Sequence, residues 1–276
     1  MNLQNQTVSY ILQNPASSIA DIMGATSCGR SVAYAALSAV DRVKEINTGR
    51  TIGAFSCLHQ PATTPGYLEF VKRTFKRFNV DEVVNLGDLI DHHFISRHVS
   101  EPDALNPLEE MDLAILKLKD WVNAFPDVKW CKGNHDAIPV RQVKTLGIPS
   151  RFLKSLNEIY ELPATWEMKS HWEIDGVWYE HGIGSNGMYG AKNTAMRYRQ
   201  SYVQGHTHAH AGIHHLFSPK DNIFGMNVGC GMDEKSYASR YGKIFKDKIC
   251  LGCGIVIDGK IPFFVPMEKP LPSQHG

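Results

Sequence analysis

The sequence lacks any long apolar run. Nothing in it approaches the roughly 18 consecutive apolar residues of a membrane span, and its start, MNLQNQTVSY, has neither the basic flank nor the apolar centre of a secretory signal. A cytoplasmic protein with no membrane partner is expected. Cysteine is sparse: six residues are scattered over 276, too few and too irregular for a disulfide framework. Only Cys250 and Cys253 form a C-x-x-C. Without the following helix of a redox motif, that pair reads as a buried strand pair, with redox or metal chemistry as the other option. Excess charge is missing too, since a formal net charge of +1 supplies no bulk attraction to nucleic acid or to a membrane. There is no internal repeat and no low-complexity tract. The 43% of hydrophobic residues suffices for one large core with a small appendage.

Residues 1–48 differ from the rest. The string SIADIMGATSCGRSVAYAALSAV places small and apolar residues at helical spacing, interrupted at Gly24 and at Thr26-Ser27, which can cap a following helix. Helix, turn, helix is the expected order, and it resembles the helix-turn-helix modules of DNA-binding proteins. The would-be recognition helix offers Arg30 as its only early basic residue, whereas phosphate contacts usually come from several cations. Two roles stay open: contact with nucleic acid, or a packing or oligomerisation appendage.

From residue 49 to 276 one larger domain is expected. Short apolar runs that end in polar signatures alternate with helical stretches, the pattern of an α/β chain. TIGAFS, DEVVNLG and DVKWCKG read as strands. Between them, one helix opens at Pro65 and carries Leu68, Val71, Phe75 and Phe78 on one face, with Lys72, Arg73, Lys76 and Arg77 opposite. A second spans Leu108 to Phe125. The later half turns to strands and hairpins, with Asp-Gly turns at Asp175-Gly176 and Asp258-Gly259.

Metal-binding residue types stand at the C-terminal ends of successive predicted strands, the edge where open α/β sheets bind ligands. Cys57 and His59 follow the first, Asp88 and Asp91 the second, and Asn134, His135 and Asp136 the third. Further on, His181 follows VWYE, and His206 and His208 follow SYVQ. In chain order these are the strings LHQP, GDLID, GNHD, EHG and GHTH, which together resemble the five-block signature of calcineurin-like metallophosphoesterases. The closing stretch YGKIFKDKICLGCGIVIDGKIPFFVP is similar to the end of phage and prophage members.

The resemblance implies a β-sandwich flanked by helices, a four-layer α/β/β/α arrangement, holding two transition-metal ions. It puts Cys57, His59 and His208 on one ion, Asn134, His181 and His206 on the other, and Asp88 between them. Two cations about 3.5 to 4 Å apart lower the pKa of a shared water and neutralise phosphoryl oxygens during in-line displacement. His135 is then expected to protonate the leaving group as general acid, with Asp136 orienting its ring, while Asp91 orients a ligand rather than binding metal. Where the family has the first carboxylate of Asp-x-His, this chain has Cys57. A thiolate keeps the charge but favours Zn or Fe over Mg or Ca, with Mn also suited to the remaining donors. The other possibility is a protonated thiol and a weak or absent first metal.

Substrate contacts are expected from Asn134 and from the long connection DHHFISRHVSEPDALNP, chiefly His92 and Arg97. The loop IGSNGMYG either brings backbone amides to a phosphate or only makes turns. The expected activity is hydrolysis of phosphate esters, phosphodiesters first. Phosphomonoesters, or a catalytically weak DNA-associated scaffold, are the alternatives.

Overall fold

The computed structural model describes residues 7, 10, 11, 14, 17–37, 49–96, 105–234, 236 and 248–268. The chain separates into two compact units, Met1–Arg50 and Thr51–Gly276. In the first, Ser18 and Asp21 form a capping box that opens the helix Ile19–Thr26, a device that contributes about 1 kcal/mol. Gly24 lies inside this helix rather than at its end. The break comes at Ser27, in the left-handed region at φ 54°, and residues 30–37 are helical again. Thr26 does not cap that second helix, because its hydroxyl donates back to the Ile22 carbonyl at 2.7 Å. Ile11, Ile22, Cys28, Ala33 and Ala36 form the unit's small core.

The second unit is built on two sheets. In the first, β1 (Thr51–Phe55), β2 (Glu82–Asn85), β3 (Val128–Cys131) and β4 (Trp166–Lys169) lie side by side in parallel. β10 (Gly252–Ile257) and β11 (Ile261–Pro266) add antiparallel to β1, giving the order β11-β10-β1-β2-β3-β4. The second sheet has the order β5-β6-β7-β9-β8, from β5 (His171–Ile174), β6 (Val177–Glu180), β7 (Ser201–Gln204), β8 (Ala211–Phe217) and β9 (Asn222–Val228). Here β6, β7 and β9 are parallel. The hairpins β5–β6 and β10–β11 turn at Asp175-Gly176 and Asp258-Gly259, all four residues at positive φ as type I′ turns require. Of the C-x-x-C expected as a buried strand pair, Cys253 lies buried in β10, whereas Cys250 is half-buried and precedes the strand. Residues 241–247 of the closing stretch fall outside the described residues.

Side-chain alternation along β1 sets the layers. Ile52 and Ala54 face the second sheet, where they meet Val84, Leu86, Tyr179, Val203, Phe224 and Met226. Phe55 faces the other way, onto the helices Tyr67–Arg77 and Pro107–Ala124, and stacks on Trp121 at 4.7 Å. Gly53 shares that outer face, and a Cβ there would come within 2.7 Å of the Phe75 ring. Burying each such aromatic is worth about 1.5 to 3 kcal/mol, so the helix–sheet seam is a main source of cohesion. On the far side Ala191 and Ala195 of the helix Gly190–Tyr198 pack on Tyr202 and Ile223. Helix, sheet, sheet, helix is the expected four-layer order. Among the described residues no helix is long and apolar enough to cross a membrane.

Candidate metal centre

Parallel pairing puts the C-terminal ends of β1, β2 and β3 on one edge of the first sheet, and those of β6 and β7 on one edge of the second. The loops leaving these ends carry the polar residues, and they turn at once: Cys57, His59, Asp88 and His206 all adopt left-handed backbone, at φ 53°, 46°, 56° and 64°. Each such non-glycine residue costs on the order of 1 to 3 kcal/mol and persists only where its surroundings hold it. Two glycines let the loops close together. A Cβ at Gly133 would collide with the Asp88 carboxylate, and one at Gly205 with the Ser56 hydroxyl.

Asp88 sits at the middle. Its Oδ1 accepts the backbone N–H of His135 at 2.8 Å, and its Oδ2 lies 3.0 Å from His181 Nε2 and 3.6 Å from His59 Nε2. Around it the histidine tautomers are set from behind. His181 donates Nδ1–H to the Leu86 carbonyl at 2.7 Å, so its Nε2 carries a bare lone pair. That nitrogen stands 2.9 Å from Asn134 Oδ1 and 3.1 Å from His206 Nδ1. His59 donates Nδ1–H to Asp91 Oδ1 at 2.6 Å, and its bare Nε2 stands 3.2 Å from His208 Nε2. Cys57 Sγ is fully buried, accepts the His206 N–H at 3.3 Å and lies 3.0 Å from the Ser56 hydroxyl.

These lone pairs repel one another unless a positive charge lies among them. Metal–nitrogen bonds of about 2.0 to 2.1 Å put neighbouring donors of a tetrahedral or octahedral shell about 3.0 to 3.4 Å apart, the range seen here. Among the described residues, two groups that could hold a metal ion share Asp88: Cys57, His59, Asp88 and His208, and Asp88, His181 and His206. Asn134 Oδ1 adds to the second. A third cluster, His59, Asp91 and His135, is already accounted for by hydrogen bonds, from His59 to the Asp91 carboxylate and from His135 to the Asp91 carbonyl. One thiol, three aspartate or asparagine oxygens at most and four imidazoles form a donor set suited to Zn, Fe or Mn.

The electrostatics agree. Burial raises Asp88, but the surrounding His181, His135 and His59 rings win and hold its carboxyl well below the usual range. Burial opposes charge on His181, yet the Asp88 carboxylate raises its pKa: the site draws in a proton where no other cation stands. Burial, and then the neighbouring rings, lower His206 to about 4 and His208 well below its ordinary value. Burial, the Asp88 charge and Cys230 push the Cys57 thiol up, so a thiolate there needs a cation beside it.

An open cavity of about 390 Å³ lies over the cluster, with Asp88, Asn134, His135, Asn186, His206 and His210 among its walls. Residues 50–223 match the family described as calcineurin-like phosphoesterase. The chain belongs to that family. Calcineurin-like phosphoesterases are metal-dependent hydrolases of phosphate esters, and the centre above holds histidine, aspartate and cysteine groups that could bind metal. A phosphoesterase from E. coli, Yfce, is similar in structure at 16% identity, with 74% of this chain and 87% of that one covered and a TM-score of 0.39. For the nuclease MPE of Pseudomonas putida the figures are 12%, 78%, 86% and 0.34. Vacuolar protein sorting 29 from Cryptosporidium parvum gives 13%, 80%, 99% and 0.39. No curated protein matches the chain.

Within this calcineurin-like centre two expected roles change. Asp136 does not meet the His135 ring. Its carboxylate is buried and accepts the backbone N–H groups of Asp88, Leu89 and Gly133 at 2.8, 3.1 and 2.9 Å, tying the second and third strand-end loops together. Burial and the nearby Asp88 charge push it up to about 6. Asp91 orients His135 instead: its carbonyl accepts Nδ1–H at 2.6 Å and its carboxylate lies 3.3 Å away. His92, expected at the substrate, is buried with Nε2 2.7 Å from the Tyr160 hydroxyl. Burial lowers it to about 4. Arg97 lies outside the described residues.

Three partners were not legible in the sequence. Tyr160 joins His92 to Asp136, its hydroxyl 3.4 Å from the carboxylate. Glu110, buried on the helix Pro107–Ala124, accepts the His93 N–H at 2.9 Å and so holds the turn after Asp91. Asn186 contacts His206, with Oδ1 2.9 Å from Nε2.

Proposed function

We propose that the protein hydrolyses phosphodiesters at a centre of two transition-metal ions, held by Cys57, His59 and His208 on one side, Asn134, His181 and His206 on the other, and Asp88 between. The observation that carries this is the placing of Asp88 Oδ2 between two sets of bare imidazole nitrogens, 3.6 Å from His59 and 3.0 Å from His181. Held by these residues, such ions would supply the activation of a water and the neutralisation of phosphoryl oxygens.

The chain's own groups supply the rest. Asp91 holds His135 through Nδ1, which leaves Nε2 for the leaving-group oxygen in the cavity. Burial works against charge on that ring, but the carboxylates of Asp88 and Asp91 push its pKa up to about 10. Those carboxylates favour the protonated ring, and in this proposal His135 is the group that delivers a proton as the ester bond breaks. Asn134 lines the same wall and is within reach of substrate as well as ion.

Diesters are favoured over monoesters by charge. Among the described residues the cavity wall carries no lysine or arginine, which suits the single negative charge of a diester better than the double charge of a monoester. Bis(p-nitrophenyl) phosphate and p-nitrophenyl phosphate, each assayed with Mn, Zn or Fe added, test the proposal. Faster diester turnover is expected. Faster monoester turnover would make the protein a phosphatase, and full metal occupancy without turnover on either would make it a scaffold.

The boundary proposed between residues 48 and 49 is supported by the position of every candidate ligand after Arg50. A chain beginning at Arg50 is expected to bind the same metal content and hydrolyse small diesters at the full-length rate. If only turnover of DNA falls, residues 1–48 contact nucleic acid; if the shortened chain is soluble but inactive on small esters, the boundary is wrong. A cytoplasmic setting is supported by six cysteines that form no disulfide among the described residues.

A further inference from the structure

We infer that Asn186 is a positioning residue, which fixes the tautomer of His206 and thereby sets cation affinity at the Asp88–Asn134–His181–His206 position alone. The inference rests on the two-ion proposal above.

His206 presents its two ring nitrogens to different surroundings. Nδ1 faces His181 Nε2 at 3.1 Å, inside the cluster of lone pairs, and Nε2 faces Asn186 Oδ1 at 2.9 Å. A neutral imidazole carries one proton, and an amide oxygen only accepts. The proton therefore sits on Nε2, and Nδ1 is left bare towards Asp88, Asn134 and His181. The opposite tautomer would aim an N–H at the place where a cation has to lie.

His59 and His181 have their tautomers set from within the protein, by the buried Asp91 carboxylate and by the Leu86 carbonyl of the strand end. His206 has its tautomer set from a solvent-facing loop, because Asn186 is exposed. That loop is nonetheless anchored on the residue before. The Ser185 carbonyl accepts from the fully buried Gln204 side chain at 2.8 Å, and the Ser185 hydroxyl bonds that of Thr194. Gln204 is the last residue of β7, two before His206 itself. The same strand end therefore fixes both members of the pair, and Gly187, at φ 77°, turns the chain away directly after Asn186.

Removing such an outer partner of a ligating histidine typically costs about 10- to 100-fold in metal affinity. The effect falls on one ion because the side-chain oxygen of Asn186 meets His206, a member of the Asn134–His181–His206 set. Asn186 and Gly187 also line the cavity, so a substrate entering it meets the loop that orients the ligand.

The test uses the full-length protein, as wild type, Asn186→Ala and Asn186→Asp, titrated separately with Zn(II) and Mn(II). Nitrogen NMR of the His206 ring in the metal-free wild type is recorded alongside. The proton is expected on Nε2. Asn186→Ala is expected to weaken one ion about 10- to 100-fold and leave the other at wild-type affinity. Asn186→Asp keeps an acceptor at the same place and is expected to bind at least as tightly as wild type. Unchanged affinity in the alanine variant, equal weakening of both ions, or a proton on Nδ1 would each overturn the inference. A wild type that binds fewer than two ions sinks the two-ion proposal instead. The ring-nitrogen measurement needs no metal, and still decides whether Asn186 governs His206.

Discussion

His135→Ala is expected to keep the metal content of the wild type while losing about 10²- to 10⁴-fold in kcat on diesters with poor leaving groups. Alkyl leaving groups depart as strongly basic alkoxides unless a proton arrives with the breaking bond. Activated aryl esters leave without that help, so their turnover should fall far less. The structure makes this a clean substitution in one respect: the contact between residue 135 and the Asp88 carboxylate runs through the backbone N–H, at 2.8 Å, and alanine retains it. Asp91 also keeps its 2.6 Å bond to His59. Steady-state rates on a series of diesters graded by leaving-group pKa measure the effect, with elemental analysis of each preparation. A uniform loss across the series would remove the general-acid role.

Cys57→Ala is expected to lose one of the two ions and at least about a hundredfold in turnover, because the small side chain supplies no donor and leaves three protein ligands where four stood. Cys57→Asp is expected to keep activity within about a factor of a hundred of wild type while shifting metal preference from Zn or Fe towards Mn or Mg. Charge and ligand count are conserved, and the backbone is receptive as well. Residue 57 sits at φ 53°, a conformation that aspartate and asparagine adopt more readily than other non-glycine residues. In the wild type the buried thiol must give up its proton to bind metal, and its pKa lies well above the ordinary thiol value, so affinity at this position should rise with pH across the neutral range. Elemental analysis, metal titration at several pH values and activity on all three proteins decide the matter. An alanine variant equal to wild type in metal and rate would make Cys57 a bystander.

Much of this architecture was legible because local signals and tertiary demands coincide. The apolar residues of TIGAFS, DEVVNLG and DVKWCKG pack into the core on β1, β2 and β3, and the polar residue types directly after them have to lie at the sheet edge. The same reasoning placed His181, His206 and His208. What stayed hidden were pairings set by the fold rather than by sequence neighbours. His135 precedes Asp136 directly, which invited the assumption that they interact, yet the loop turns Asp136 inward to three backbone N–H groups and leaves the ring to Asp91, 44 residues earlier. His92 looked like a cavity residue beside Asp91, but its ring is claimed by Tyr160, 68 residues on. Asn186 stood in a glycine-bearing loop whose sequence carries no sign that one side chain would reach a histidine beyond the next helix and strand.

The wide spacing of the ligands has a kinetic side. Cys57 and His206 meet across 149 residues of chain, and the first sheet itself closes only when β10 pairs with β1. Contacts this distant form late, since the closure of long loops precedes any gain from them. At synthesis rates of about 5 to 20 residues per second, about 7 to 30 s separate the emergence of Cys57 from that of its last partners. For that interval the thiol is an unprotected nucleophile on a nascent chain, open to oxidants and to stray soft metals. Pulse-labelling of ribosome-bound chains with a thiol reagent should find Cys57 reactive until release and silent afterwards.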